Sequence, residues 1–158
     1  MRSKRAPKRL QVPDPIFGSR MVSKLINKIM IDGKKSIAQN LVYKAFEAVK
    51  EKSGQDPVSV FEKALQNVSP KMEVRPRRVG GASYQVPSEV RGERKESLAL
   101  RWILASAAAK PNKEFKTFDQ KLAVEILDAS NNTGGAVKKK DDVQKTAAAN
   151  RAFAHFRW

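Results

Sequence analysis

The chain has 158 residues, and 32 Lys and Arg against 16 Asp and Glu give a formal net charge of +16 and a pI near 10.3. Such a balance calls for a large polyanion as partner, and no run approaches the ~20 apolar residues of a membrane-spanning helix. Cysteine is absent, which excludes disulfides and thiolate metal sites; the basic start runs into Gln11, Pro13, Asp14 and Pro15 instead of a signal peptide's apolar stretch, so a cytoplasmic protein is expected.

Hydrophobic residues make up 41% and recur in helical blocks, enough to bury one core, and the length suits a single domain over 1–158. Residues 1–18 hold Lys4, Arg5, Lys8 and Arg9 among prolines with no periodicity, which reads as a basic extended arm. Residues 19–69 read as three helices. The first, about 19–31, repeats Met21, Val22, Leu25, Ile26, Ile29 and Met30 on one side and Arg20, Lys24 and Lys28 on the other, and Asp32-Gly33 stops it. The second is expected from a Ser36 cap to about 52, with Ile37, Leu41, Val42, Ala45, Ala48 and Val49 inward and Gly54 ending it. The third has Asp56 as N-cap and Pro57 in its first turn, buries Val58, Phe61, Leu65 and Val68, and stops at Ser69-Pro70.

Residues 70–90 break the pattern. Gly80-Gly81 between β-branched residues predicts a tight hairpin that pairs Val79 with Ala82, Arg77 with Tyr84, Arg75 with Val86 and Val74 with Pro87. Neither face is consistently apolar, so the ribbon is expected to project without covering a core. Two strands alone are marginal in water, and Arg75, Arg77 and Arg78 suggest a partner that orders them. Residues 91–131 return to two helices. Helix four offers Leu98, Ala99, Trp102, Ile103 and Ala105 to the core and carries Arg91, Arg94, Lys95 and Arg101; helix five is expected to open on a Thr117–Gln120 capping box and to bury Phe118, Leu122, Ile126 and Leu127. Residues 132–158 read as a last helix to about 154 with a frayed tail, in which Lys138–Lys140 face Asp141 and Asp142. The fold class is therefore mainly α: about six helices, a hairpin between helices three and four, and a basic arm.

The inventory argues against an enzyme. His155, the one histidine, lies in the tail, and no His/Cys metal set or supported triad can be assembled. Gly33-Lys34-Lys35-Ser36 resembles the end of a phosphate-binding loop, but position 28 is Lys28, where the first glycine would fall, and no buried strand precedes it. Nucleotide hydrolysis is excluded; two lysines at a helix start still suit one phosphate. A lysine stripe opposite an apolar one is ordinarily solvated surface. Here the interspersed acids are scarce, and the arm, helix one, the hairpin and helix four are all biased alike. No cofactor and no small-molecule substrate is expected. From physics alone an architectural DNA-bending protein competes with an RNA binder, since such proteins also join a helical body to arginine-bearing ribbons, although their intercalating proline sits at the tip, where this chain has Gly80-Gly81.

The block MIDGKKSIAQNLVY at 30–43, the hairpin VRPRRVGGASYQVP at 74–87, Arg101-Trp102-Ile103, the arm ending Asp14-Pro15 and the terminal ANRAFAHFRW at 149–158 together resemble the bacterial small-subunit ribosomal protein seven family along essentially the whole length. The resemblance implies a helical protein with a protruding hairpin that binds the 3′ major domain of small-subunit ribosomal RNA, starts assembly of the subunit's head, and lies near the decoding centre and the messenger path, beside proteins of the head and platform. It places RNA contacts on Lys4, Arg5, Lys8, Arg9, Arg20, Lys24, Lys28, Lys34, Lys35, Arg75, Arg77, Arg78, Arg91, Arg94 and Arg101. Gly80, Gly81, Ala82 and Arg151 fall near exit-site transfer RNA. Some members also repress their own messenger.

Overall fold

The computed structural model describes residues 11–156. Helices α1 (Arg20–Ile29), α2 (Lys35–Ser53) and α3 (Pro57–Val68) lead into strands β1 (Met72–Val79) and β2 (Ala82–Glu89), followed by α4 (Gly92–Ala109), α5 (Phe118–Ser130), α6 (Gly134–Ala149) and a terminal 3-10 helix (Arg151–Phe156). The chain is thus mainly helical with an antiparallel hairpin between α3 and α4. Helix α5 packs against α2, α3, α4 and α6. Around it Phe46, Phe61, Leu100, Ile103, Leu122 and Ile126 are fully enclosed, and Trp102 joins the same apolar cluster.

Local chemistry explains most boundaries. Helix α1 stops at Ile29, short of residue 31, because Asp32 (φ 53°) and Gly33 (φ 74°) turn through the left-handed region. The Asp56 carboxylate accepts from the Ser59 amide (2.9 Å) at the start of α3, as the sequence specified, and Pro57 fills the first turn. Two expected caps are absent. Lys34, not Ser36, holds the N-cap of α2, since the turn closes two residues early, with Lys34 N donating to Ile31 O (3.0 Å). Thr117 occupies the N-cap of α5, but its hydroxyl makes no capping bond, and Asp119 supplies the negative charge that the first turn favours.

The inward face of α2 runs through Ala38, Val42, Ala45, Phe46 and Val49, which leaves Ile37, expected inside, exposed at the helix's leading end. Ala105 is likewise outside, on the face of α4 opposite Ile103 and Ala107. Val58, Ala48, Phe118 and Leu127 are half-buried against the core.

Helix α5 also carries buried charge. Lys121 Nζ donates to Lys110 O and Asn112 Oδ1 (both 2.6 Å). Glu125 Oε1 accepts from the Ala136 amide in the first turn of α6 (2.9 Å), and Oε2 pairs with Lys110 Nζ (3.0 Å), which also reaches Asp128 (2.9 Å). Burial alone would lower the Lys110 pKa; the hydrogen bonds and charges of Asp128 and Glu125 outweigh it and raise it. This network ties α4, α5 and α6 together at one end. Gly134 (φ +91°) is required there, because a Cβ would lie 2.9 Å from Asp128 Cβ.

Candidate nucleic-acid interface

The hairpin has the register its turn dictates: Val79 opposite Ala82, Arg77 opposite Tyr84, Arg75 opposite Val86, Val74 opposite Pro87. Gly80 (φ 57°) and Gly81 (φ 87°) both take the positive φ that a two-residue turn of this hand needs. Gly80, Gly81 and Ala82 form an exposed tip, and Arg77 and Arg78 are exposed beside it.

The ribbon's base departs from expectation. It does cover something: Val86, Pro87 and Val90 are buried, and Tyr84 packs on Phe153 (5.2 Å) and Phe156 (5.5 Å) of the 3-10 helix. The apolar partner comes from the far end of the chain, so strand alternation alone could not reveal it. Arg151 lines the cleft at this base with Lys71, Met72 and Pro87.

Acidic residues that the sequence reading overlooked organise several of the cations. Glu73, on β1 and nearly enclosed, receives Nε (2.7 Å) and NH2 (2.5 Å) of Arg75 on one oxygen and Nε (3.3 Å) and NH2 (3.2 Å) of Arg94 on the other. Desolvation would raise its pKa, but the two guanidiniums prevail and hold it below the usual carboxylate value. The hairpin's base is thereby fixed to the first turn of α4. Lys24 of α1 pairs with Glu96 of α4 (2.5 Å), and Arg91 approaches Glu89 (3.9 Å). In the expected stripe of α1, then, Arg20 and Lys28 face solvent while Lys24 bridges to α4.

Among the described residues, Arg20, Lys28, Lys34, Lys35, Arg77, Arg78 and Arg101 are exposed and have no acidic partner. Lys4, Arg5, Lys8 and Arg9 lie outside the described residues. In the run 138–140, Lys140 is turned inward, donating to Asn67 O (3.0 Å) and pairing with Asp141 (3.5 Å). His155 is exposed, its ring tilted against that of Phe156. No described helix is long and apolar enough to cross a membrane.

Fold and surface together define a helical, strongly cationic protein whose arginines sit on a ribbon and on the helices beside its base. The family model described as Ribosomal protein S7p/S5e matches residues 1–151. The small ribosomal subunit protein uS7 of Carboxydothermus hydrogenoformans is 59% identical over 152 residues, 96% of each chain. That of Acetivibrio thermocellus is 59% identical over the same length and coverage, and that of Moorella thermoacetica 56% identical over 154 residues, 98% of this chain and 97% of the relative. The chain belongs to this family of small-subunit ribosomal proteins, which has a structural and not an enzymatic role in the ribosome.

Proposed function

We propose that the chain binds the 3′ major domain of small-subunit ribosomal RNA directly, starts assembly of the subunit's head, and works in the cytoplasm as a ribosome-bound protein, as one domain. The observation that carries this reading is a family match along the chain combined with exposed, acid-free cations on the same elements, Arg20 and Lys28 of α1, Lys34 and Lys35 of the following turn, Arg77 and Arg78 of the ribbon, and Arg101 of α4. Arg75, Arg94 and Lys24 contribute from fixed positions, and Arg91, Lys4, Arg5, Lys8 and Arg9 complete the set. The deep major groove of duplex RNA keeps base edges from side chains, so recognition rests on phosphates, 2′-hydroxyls and junction shape. Gly80, Gly81 and Ala82 form a slender tip suited to lie beside exit-site transfer RNA and messenger, with Arg151 nearer the ribbon's base.

A competition experiment tests this. A 3′-domain RNA fragment should displace labelled RNA at concentrations where duplex DNA does not; equal competition would favour an architectural DNA-bending protein.

A further inference from the structure

Several apolar residues that the fold leaves outside gather in one place, and two of them, Ile37 and Ala105, are ones that helical periodicity assigns to the interior. Ile37 is 62% exposed, Ile31, at the expected end of helix one, is 74% exposed, and Ala105 is exposed on α4. All three line a single cleft of about 570 Å³, together with Ile29, Leu104 and Phe118, where the end of α1, the start of α2 and the second half of α4 meet. A lone exposed isoleucine needs no explanation, but a contiguous apolar concavity marks a surface that a partner covers.

The charged residues of the lining are Lys28 and Lys34, neither paired with an acid among the described residues, and no acidic residue lines the cleft. The occupant must therefore bring apolar anchors with negative charge beside them. A nucleobase suits this poorly, because its hydrogen-bonding edge would be buried against aliphatic carbon with only two lysine tips in reach. A helix satisfies its own backbone and presents side chains alone.

We infer that this cleft docks an amphipathic segment of a neighbouring small-subunit protein, with apolar anchors against Ile31 and Ile37 and an acidic flank on Lys28 and Lys34, whose ammonium groups, with three donors each, meet a carboxylate on the cleft side and a phosphate on the other. The inference rests on the proposed function only in placing the chain inside the small subunit. Along α4 the exposed positions Arg94, Arg101, Ala105 and Ala108 change from cationic to apolar, so one helix passes from the RNA side to the protein side.

The chain has no cysteine, so Ile37→Cys introduces a unique thiol. In the free, full-length variant that thiol should react readily with a maleimide. After incorporation into small subunits its rate should fall by roughly tenfold or more, and a photo-crosslinker attached there should join a protein segment mixing apolar and acidic residues. A thiol that stays as reactive in the subunit as in the free chain, or crosslinks only RNA, overturns the inference. The charge-neutral variant Ile37→Gln should keep its helical circular dichroism and wild-type affinity for the isolated RNA fragment; loss of RNA affinity with the fold intact would make the cleft part of the RNA surface and overturn it too. A wild-type chain that binds no RNA and enters no subunit would overturn both readings, an outcome distinct from a chain that enters and leaves the cleft open.

Discussion

Glu125 and Glu73 are both buried carboxylates that hold cations, and the fold uses them in opposite ways. At Glu125 the joint is closed: the carboxylate is 1% exposed, Lys110 17%, and the Ala136 amide completes the set. At Glu73 only the carboxylate is enclosed, while the side chains of Arg75 and Arg94 are 56% and 49% exposed. A guanidinium has five donors in a rigid fork; Arg94 gives Glu73 two and Arg75 gives it one beside an ion-pair contact, so the remaining donors stay available to a phosphate. The same ion pair locks one part of the molecule and presents another. Burial of the cation, not of the acid, separates a closed joint from one whose cations stay at the surface, where the proposed function needs them.

The largest expected effect breaks the closed joint. Glu125→Ala should lower unfolding free energy by roughly 2–4 kcal/mol, because it strips the half-buried Lys110 of one partner and the buried Ala136 amide of its acceptor; urea denaturation measures it, and a loss under about 1 kcal/mol would mean that Asp128 alone satisfies Lys110. The next tests the open joint. Glu73→Gln raises the net charge by one, yet RNA affinity should fall by about threefold to tenfold, since two arginines lose the anchor that pre-positions them. A rise in affinity would show that Glu73 merely neutralises them.

Acid and alkali should separate the two joints more gently. The Glu73 pKa is lowered on folding, so its contribution is complete above the ordinary glutamate value of about 4.3 and disappears as pH falls through the lowered one. The Lys110 pKa is raised, so its contribution is complete below the ordinary lysine value of about 10.4 and disappears as pH climbs through the raised one. Hydrogen exchange should therefore show the hairpin's base loosening first in acid and the α4–α5–α6 end loosening first in alkali. The reverse order would contradict the assignment.

Much of this was legible in the sequence because it is local. Helical period located α1 to α5, Asp56-Pro57 marked the start of α3, and Gly80-Gly81 set the hairpin register pair by pair; the last helix, expected to about 154, ends at Ala149, and Arg151–Phe156 follows as a 3-10 helix. The errors share a cause. An apolar stripe gives the side of a helix but not the centre of its buried arc: Ile37 falls at the margin of the α2 wheel, beside the half-buried Leu41 and Ala48 and in the first turn, while Phe46 and Leu100, both fully buried, went unremarked. Contacts between distant segments left no local trace. Lys24 and Glu96 are 72 residues apart, Arg94 and Glu73 21 apart, and Tyr84 meets Phe156 only after the chain has returned. Composition showed that cations were in excess, but which of them would be tied to acids was a property of the fold.

The central claim is that the exposed ribbon arginines neutralise RNA phosphates while the helical body stands independently of them. The measurement that bears on it most directly is the salt dependence of binding to the 3′-domain RNA fragment, for the wild type and for the double variant Arg77→Ala, Arg78→Ala. The slope of log affinity against log salt should be steep for the wild type and shallower by about two for the variant, with the helical circular dichroism unchanged. Superimposable slopes would contradict the account, since the two arginines would then meet no phosphate.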